Sequence, residues 1–291
     1  MILNKFIDKE NFIFLSMATS LFYGSVAKKI FTRAFIAAYK DRDINHKQLA
    51  DWIKLSLYFE DPTRTLKPGM LYHQTIPRYT ELFQTGLCIF AFGFYVKQVR
   101  ALQKYWLHEW TVTAILGRQT IDNYSRSILI DCHDVSNIAT DLIENSLQKF
   151  VGIIEQTGPG HLHEKTQPVD CEESNAYEQY HDNTPRLKTC YSIELLDRQD
   201  REVKLRIKSD GLFNCRSFVR DLGFYLNCPS SIDSAHLDKL GPVQSGQSLQ
   251  KHQLHYEQMV KSAEEITPAC IEYLKQLRQQ YPDAKSSGRF I

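Results

Sequence analysis

The chain has 291 residues, enough to bury a substantial core in one large domain or in two ordinary ones. A formal net charge of +1, with 24% charged residues, excludes a strong overall attraction to nucleic acid or anionic lipid. The seven cysteines, an odd number, indicate free thiols in a reducing compartment and argue against a disulfide framework.

Two uncharged segments rich in aromatic residues, Asn11–Ala27 and Leu82–Val96, dominate the first third of the chain. Each is apolar on nearly every side of a helix and is slightly shorter than the roughly 20 residues that cross a bilayer. We therefore predict two buried helices at the centre of a helical core. Asp8 and Glu10 interrupt the basic residues before the first segment, so we expect a retained cytoplasmic helix and no secretory signal.

Helical periodicity and helix-terminating residues extend this prediction over residues 1–155. Asn45 is a good N-cap for the helix that follows it. The predicted helices and their proline-rich loop are, in chain order, Lys5–Tyr39, Asn45–Phe59, the loop Asp61–Pro77, Arg78–Gly117 and Gln119–Ile154.

Residues 156–187, with Gly-Pro-Gly at 158–160, predict a loop or linker and a domain boundary. After it, Val203, Leu205 and Ile207 alternate with basic residues, which indicates a strand that forms an antiparallel hairpin with Tyr191–Leu196. Three further helices are predicted: Phe213–Leu226, Gln247–Glu265 and Pro268–Gln280. The predicted fold is mainly α: a helical N-terminal bundle (1–155), then a smaller α+β domain with one hairpin (188–291).

Clusters of reactive residues are few. The pair His161-x-His163, with Cys171, His181 and Cys190 downstream, has a tight ligand pair at one end only, so a solvated loop is favoured over a zinc site. The sequence contains no glycine-rich phosphate loop, dinucleotide fingerprint or nucleophile elbow. We therefore predict no catalytic residue, no metal and no cofactor.

Cys132-His133-Asp134 places a thiol, a base and a carboxylate in succession, but nucleophilic catalysis needs such groups adjacent in space. A basic stripe of Lys204, Arg206 and Lys208 is flanked by acidic residues, which argues against a nucleic-acid interface. Packing and solvated surface are the favoured interpretations of these two features.

The helical, Tyr- and Phe-rich stretches Lys5–Tyr39 and Arg78–Trp110, followed by the mixed segment Thr189–Leu226, resemble accessory subunits of bacterial type IVB (Dot/Icm) secretion coupling complexes. The resemblance implies a non-catalytic subunit held by other protein subunits, in the cytoplasm or at the cytoplasmic face of the inner membrane.

The function predicted from the sequence is a non-enzymatic adaptor or scaffold. Because buried aromatic residues carry most interface energy, the expected anchors are Tyr72, Tyr79, Trp106 and Trp110. Two alternatives stay open. One is a hydrolase with Cys132 or Cys171 as nucleophile, or with a metal at the His161/His163 loop. The other is a nucleic-acid-binding protein.

Overall fold

The computed structural model describes residues 33–60, 72–78, 80–158 and 185–284. A mixed sheet of nine strands forms the centre of this part of the chain, with a separate two-stranded hairpin beside it. The strands are β1 (Phe35–Lys40), β2 (His73–Ile76), β3 (Gln84–Phe92), β4 (His108–Leu116), β5 (Arg118–Thr120), β6 (Leu129–Cys132), β7 (Gly152–Gln156), β8 (Arg186–Gln199), β9 (Glu202–Ser209), β10 (Ser230–Leu240) and β11 (Val243–Gln244). The α-helices are α1 (His46–Glu60), α2 (Tyr95–Leu102), α3 (Thr140–Leu147), α4 (Cys215–Tyr225) and α5 (Tyr256–Gln280).

The strand order of the large sheet is β1-β3-β10-β4-β9-β8-β7, with β2 paired to β3 and β11 to β10. β3 and β10 run parallel, while the other neighbouring strands are antiparallel. β10 therefore separates β3 from β4, although it follows both by more than a hundred residues. Strands from both sides of residues 159–184 belong to this one sheet.

Helices cover the two faces of the sheet unequally. On one face, α2, α3, α4 and the C-terminal half of α5 pack over the strands and form the larger apolar core. On the other face, α1 and the N-terminal half of α5 cover only β1 and β3. The remainder of that second face carries polar side chains of β4, β9 and β10, such as Thr111, Lys204 and His236.

The predicted long helix Arg78–Gly117 is wrong, because this stretch forms β3, α2 and β4. β3 lies under helices on both faces: Leu87 and Ile89 enter one core, and Cys88 and Phe90 enter the other. A strand buried on both faces is a continuous apolar run, which periodicity cannot distinguish from a buried helix. The mainly α fold class is wrong for the same reason.

The other helices predicted before residue 155 are confirmed only in part. Helix α1 is confirmed: the Asn45 side chain accepts a hydrogen bond from the Gln48 amide (2.9 Å), and the Gln48 side chain accepts one from the Asn45 amide (2.9 Å). The predicted helix Gln119–Ile154 instead contains β5, β6, α3 and β7. In the predicted helix Lys5–Tyr39, residues 35–39 belong to β1, while Asn11–Ala27 lies outside the described residues.

The C-terminal third follows the sequence prediction more closely. β8 and β9 form the predicted antiparallel pair, and α4 lies within the predicted helix Phe213–Leu226. The last two predicted helices are one 25-residue helix, α5, which contains Pro268. The boundary at 156–187 stays a prediction. No helix among the described residues combines the length and apolar character that crossing a membrane requires.

Candidate active site

A buried ion pair lies where β3 and α4 begin. Nε of Arg216 is 3.1 Å from Oε2 of Glu81, and the two side chains are 8% and 12% exposed. Of the ion pairs between described residues, this pair is the most buried. Removing two charges from water is costly unless each stabilises the other, so the pair marks a specifically built location.

A tight turn holds Glu81 at the start of β3. The Glu81 amide donates to Oε1 of Gln84 (2.8 Å), and the Gln84 amide donates to the Glu81 carbonyl (3.2 Å). From β1, the Lys40 ammonium donates to the Gln84 carbonyl. Burial lowers the pKa of Lys40 to about 8. The turn therefore has both hydrogen bonds of its own and an anchor in the neighbouring strand.

The first turn of α4 positions Arg216. The side chain of the N-cap residue Asn214 accepts a hydrogen bond from the Ser217 amide (2.9 Å). Gln156 fixes this cap, because its Oε1 accepts from the Asn214 amide (3.0 Å) and its Nε2 donates to the Asn214 carbonyl (3.2 Å). Nη1 of Arg216 donates to the Asp122 carbonyl (3.1 Å), so Arg216 links Glu81 to the loop after β5.

That loop brings an aromatic ring to the site. The partly exposed Tyr124 stacks on Phe83, with ring centroids 5.1 Å apart and planes 21° apart. The loop is tied to β10, because the Ser125 amide donates to the Ile232 carbonyl and the Ile232 amide to the Asn123 carbonyl, both at 2.8 Å. The stacked pair thus joins Phe83, two residues after Glu81, to the loop that Arg216 also contacts.

The geometry suits a reaction that needs a fixed anionic oxygen and a planar ligand. An arginine-paired carboxylate in a site with little water can act as nucleophile, as general base or as a stabiliser of developing positive charge. Aromatic side chains supply faces on which planar rings stack. Cys215, next to Arg216, is a neutral thiol, because burial and then the nearby Glu81 carboxylate raise its pKa well above the usual value.

Two of the four expected interaction anchors are core residues. Trp106 is fully buried against Tyr273, with ring centroids 5.2 Å apart, and Trp110 is 3% exposed on β4. Tyr72 is 54% exposed, and its hydroxyl accepts a hydrogen bond from Arg100. Tyr79 lies outside the described residues. A role for these four residues as anchors stays a prediction.

The reactive residues noted in the sequence do not converge. Cys132 is exposed on β6, and its Sγ lies 3.4 Å from Nη1 of Arg201. His133 pairs with Asp131 at 2.8 Å rather than with Cys132, and Asp134 binds Ser136. Cys190 is buried. Four further candidates lie outside the described residues: His161, His163, Cys171 and His181. Within the described ranges, no three His, Cys, Asp or Glu residues are grouped as metal ligands.

Glu81 and Arg216 are not among the site residues predicted from the sequence. A signal for Glu81 was present: it is the only acidic residue between Asp61 and Glu109, and it stands at the head of the apolar run that becomes β3. Arg216 had a weaker signal, since it follows an Asn that can cap an amphipathic helix. Nothing local in the sequence indicates that the two side chains meet.

Comparison with known proteins finds similarity both in sequence and in fold. No protein-family model matches the chain. The sequence is 27% identical to tRNA pseudouridine synthase B from two strains of Bacteroides fragilis over 166 residues, which cover 57% of this chain and 70% of that protein.

Two solved structures share the fold. A chain of a Cbf5–Nop10–Gar1 complex superposes with a TM-score of 0.56 and 16% identity, and the match covers 86% of this chain and 61% of that one. A chain of an H/ACA RNP bound to a substrate RNA containing 2′-deoxyuridine superposes with a TM-score of 0.53 and 17% identity, over 86% of this chain and 60% of that one. The chain therefore spans about three fifths of the length of these structural relatives.

These similarities correct the function predicted from the sequence. The resemblance to type IV secretion subunits is wrong, because the sequence is similar to tRNA pseudouridine synthase B and the fold is that of chains from a Cbf5–Nop10–Gar1 complex and an H/ACA RNP. The non-enzymatic adaptor and the exclusion of nucleic acid as a partner are wrong on the same findings. The adaptor was predicted because no catalytic carboxylate was recognised at the head of the apolar run, and nucleic acid was excluded because the net charge is only +1.

Proposed function

We propose that this chain is an RNA pseudouridine synthase that acts on tRNA, with Glu81 as the reacting carboxylate. The observation that carries the proposal is the buried Glu81–Arg216 pair, with the stacked Phe83 and Tyr124 rings on the two segments that hold it. The sequence similarity to tRNA pseudouridine synthase B supports the substrate class. A cytoplasmic location accompanies this proposal.

The reaction is an isomerisation and is balanced without a cofactor. The C1′–N1 bond of uridine breaks, the uracil ring turns, and a C1′–C5 bond forms. The proton on C5 leaves and N1 gains a proton, so no electrons are exchanged with another reagent. Positive charge develops at C1′ when the glycosidic bond breaks, and a carboxylate adds to that carbon or stabilises its charge.

The described residues have distinct parts in this proposal. Glu81 lies at C1′ of the target nucleotide, and Arg216 positions the carboxylate without contacting the reacting atoms. The partly exposed Tyr124, supported by the buried Phe83 ring, gives the uracil ring an aromatic neighbour once the nucleotide has left its stack in the RNA.

The test measures release of tritium from tRNA labelled with uridine tritiated at C5, because the reaction expels that hydrogen. We expect Glu81→Gln to lower kcat by about 10³-fold or more, as is typical of removing a reacting group. Glu109→Gln is the matched control, since Glu109 is also a paired, largely buried glutamate, with its carboxylate 3.5 Å from Lys239. Circular dichroism establishes that both variants fold.

Two outcomes would contradict the proposal. In the first, the protein without substitutions releases no tritium from bulk tRNA of a strain that lacks its own pseudouridine synthases. In the second, the Glu81→Gln variant keeps full activity, which would mean that Glu81 is not the reacting carboxylate.

A further inference from the structure

A second charged cluster surrounds Asp233 on β10. The Ser125 hydroxyl donates to Oδ1 of Asp233 at 2.6 Å. Nη2 of Arg42 lies 3.9 Å from Oδ2, and Nε of Arg126 lies 3.9 Å from Oδ1. Nη2 of Arg42 also donates to the Asp233 carbonyl at 3.1 Å. Two guanidinium groups thus converge on one carboxylate, and these three side chains together carry one excess positive charge.

Arg126 is only loosely engaged in this cluster. Its side chain is 62% exposed, and 3.9 Å is longer than an N–H···O hydrogen bond. Within the described ranges Arg126 makes no hydrogen bond, so its donors stay available to an incoming ligand. Asp233, in contrast, holds the Ser125 hydroxyl closely and so fixes the backbone that carries Arg126.

The cluster lies beside the candidate active site. Arg126 follows Tyr124 by two residues, and Tyr124 stacks on Phe83. From the other direction, the Asp43 amide donates to the Leu82 carbonyl (2.8 Å), which places the segment after β1 against the residue next to Glu81. The two arginines thus come from the two segments that border the site.

We propose that Arg126 binds a phosphate of the RNA backbone next to the target nucleotide, and that Arg42 adds positive charge and holds Asp233 in place. Guanidinium groups bind phosphate through two parallel hydrogen bonds, which fixes the register of an RNA strand. The inference rests on the proposed function for the identity of the ligand. Because the whole chain carries a net charge of only +1, RNA must be attracted by such local positive charge.

The test measures tRNA binding by fluorescence anisotropy as a function of salt, in the Glu81→Gln background so that no turnover occurs. We expect Arg126→Gln to weaken binding by about 3- to 10-fold and to reduce the slope of log K against log salt by about 1. Arg126→Lys should restore most of that slope, because it restores the charge. In the active protein, the loss in kcat/KM should reside in KM.

Arg206→Gln is the matched control. Arg206 is 48% exposed and is bonded to Glu194 at 2.9 Å, and it lies on the polar face of the sheet that α1 and α5 leave uncovered. Equal binding by the Arg126→Gln and Arg206→Gln variants would overturn the phosphate site, whether or not the protein modifies tRNA. Salt-dependent binding that requires Arg126, without any tritium release from the active protein, would support the phosphate site and contradict the proposed reaction.

Discussion

Glu81 and Arg216 are far apart in the sequence, and packing rather than local pattern brings their side chains together. Within β3, Gly86 lets the strand approach β10 closely. Its φ of +104° lies where L side chains are rarely found, and an added Cβ would stand 2.5 Å from the Leu237 carbonyl oxygen. A glycine inside an apolar run is a recognisable sign of close backbone approach, but the approaching strand cannot be identified from sequence.

We predict that Gly86→Ala lowers the free energy of unfolding by about 3 kcal/mol or more, because backbone strain and a collision with β10 add together. Gly152→Ala is the matched control: its φ is +108°, but an added Cβ would meet no atom within 4 Å. Strain alone should cost about 1 to 3 kcal/mol there. Urea denaturation of both variants measures the difference, and equal losses would rule out the collision with Leu237.

Among the secondary-structure elements, those with one buried and one exposed face were predicted correctly from the sequence. Elements that are buried on both faces were not. α1, α4 and the β8–β9 pair each expose one face, so their apolar residues keep a clear period. β3 has no exposed face and no such period. In β4, buried and partly exposed residues alternate: Trp110 and Val112 are buried, and Thr111 and Thr113 are partly exposed. The prediction nevertheless included this stretch in a long helix.

The two asparagine N-caps allow a test of how α4 positions Arg216. We predict that Asn214→Ala and Asn45→Ala each destabilise the protein by about 1 kcal/mol, because each removes a capping hydrogen bond. Only Asn214→Ala should also lower tRNA modification, since Arg216 lies in the turn that Asn214 caps.

Thermal denaturation and tritium release, measured on the same two preparations, separate these effects. Equal activity in the two variants would mean that the cap does not position Arg216.

At the scale of the molecule, the sheet joins segments that the sequence analysis assigned to separate domains. β10, from the predicted domain 188–291, pairs with β3 and β4 from the predicted domain 1–155. Local composition indicated a boundary at 156–187, and composition carries no information on which strands pair across it. The pairing of strands from the two sides of residues 159–184 therefore lay beyond sequence reasoning, while the boundary at 156–187 stays a prediction.

We predict that residues 1–158 and 185–291, produced separately, stay unfolded and regain structure when they are mixed. Each fragment lacks pairing partners that the other supplies: β3 and β4 lack β10, and β4 lacks β9. Circular dichroism and size-exclusion chromatography of each fragment and of the mixture provide the measurement. Cooperative thermal unfolding of either fragment alone would support two independent domains instead.

The late position of β10 has a consequence for synthesis on the ribosome. β4 ends at Leu116 and β10 ends at Leu240, so 124 residues must be added before the gap between β3 and β4 can close. At about 5–20 residues per second, this interval is roughly 6 to 25 s. Throughout it, the edges of β3 and β4 that β10 later joins carry unpaired backbone groups, and such edges can pair with other chains and aggregate.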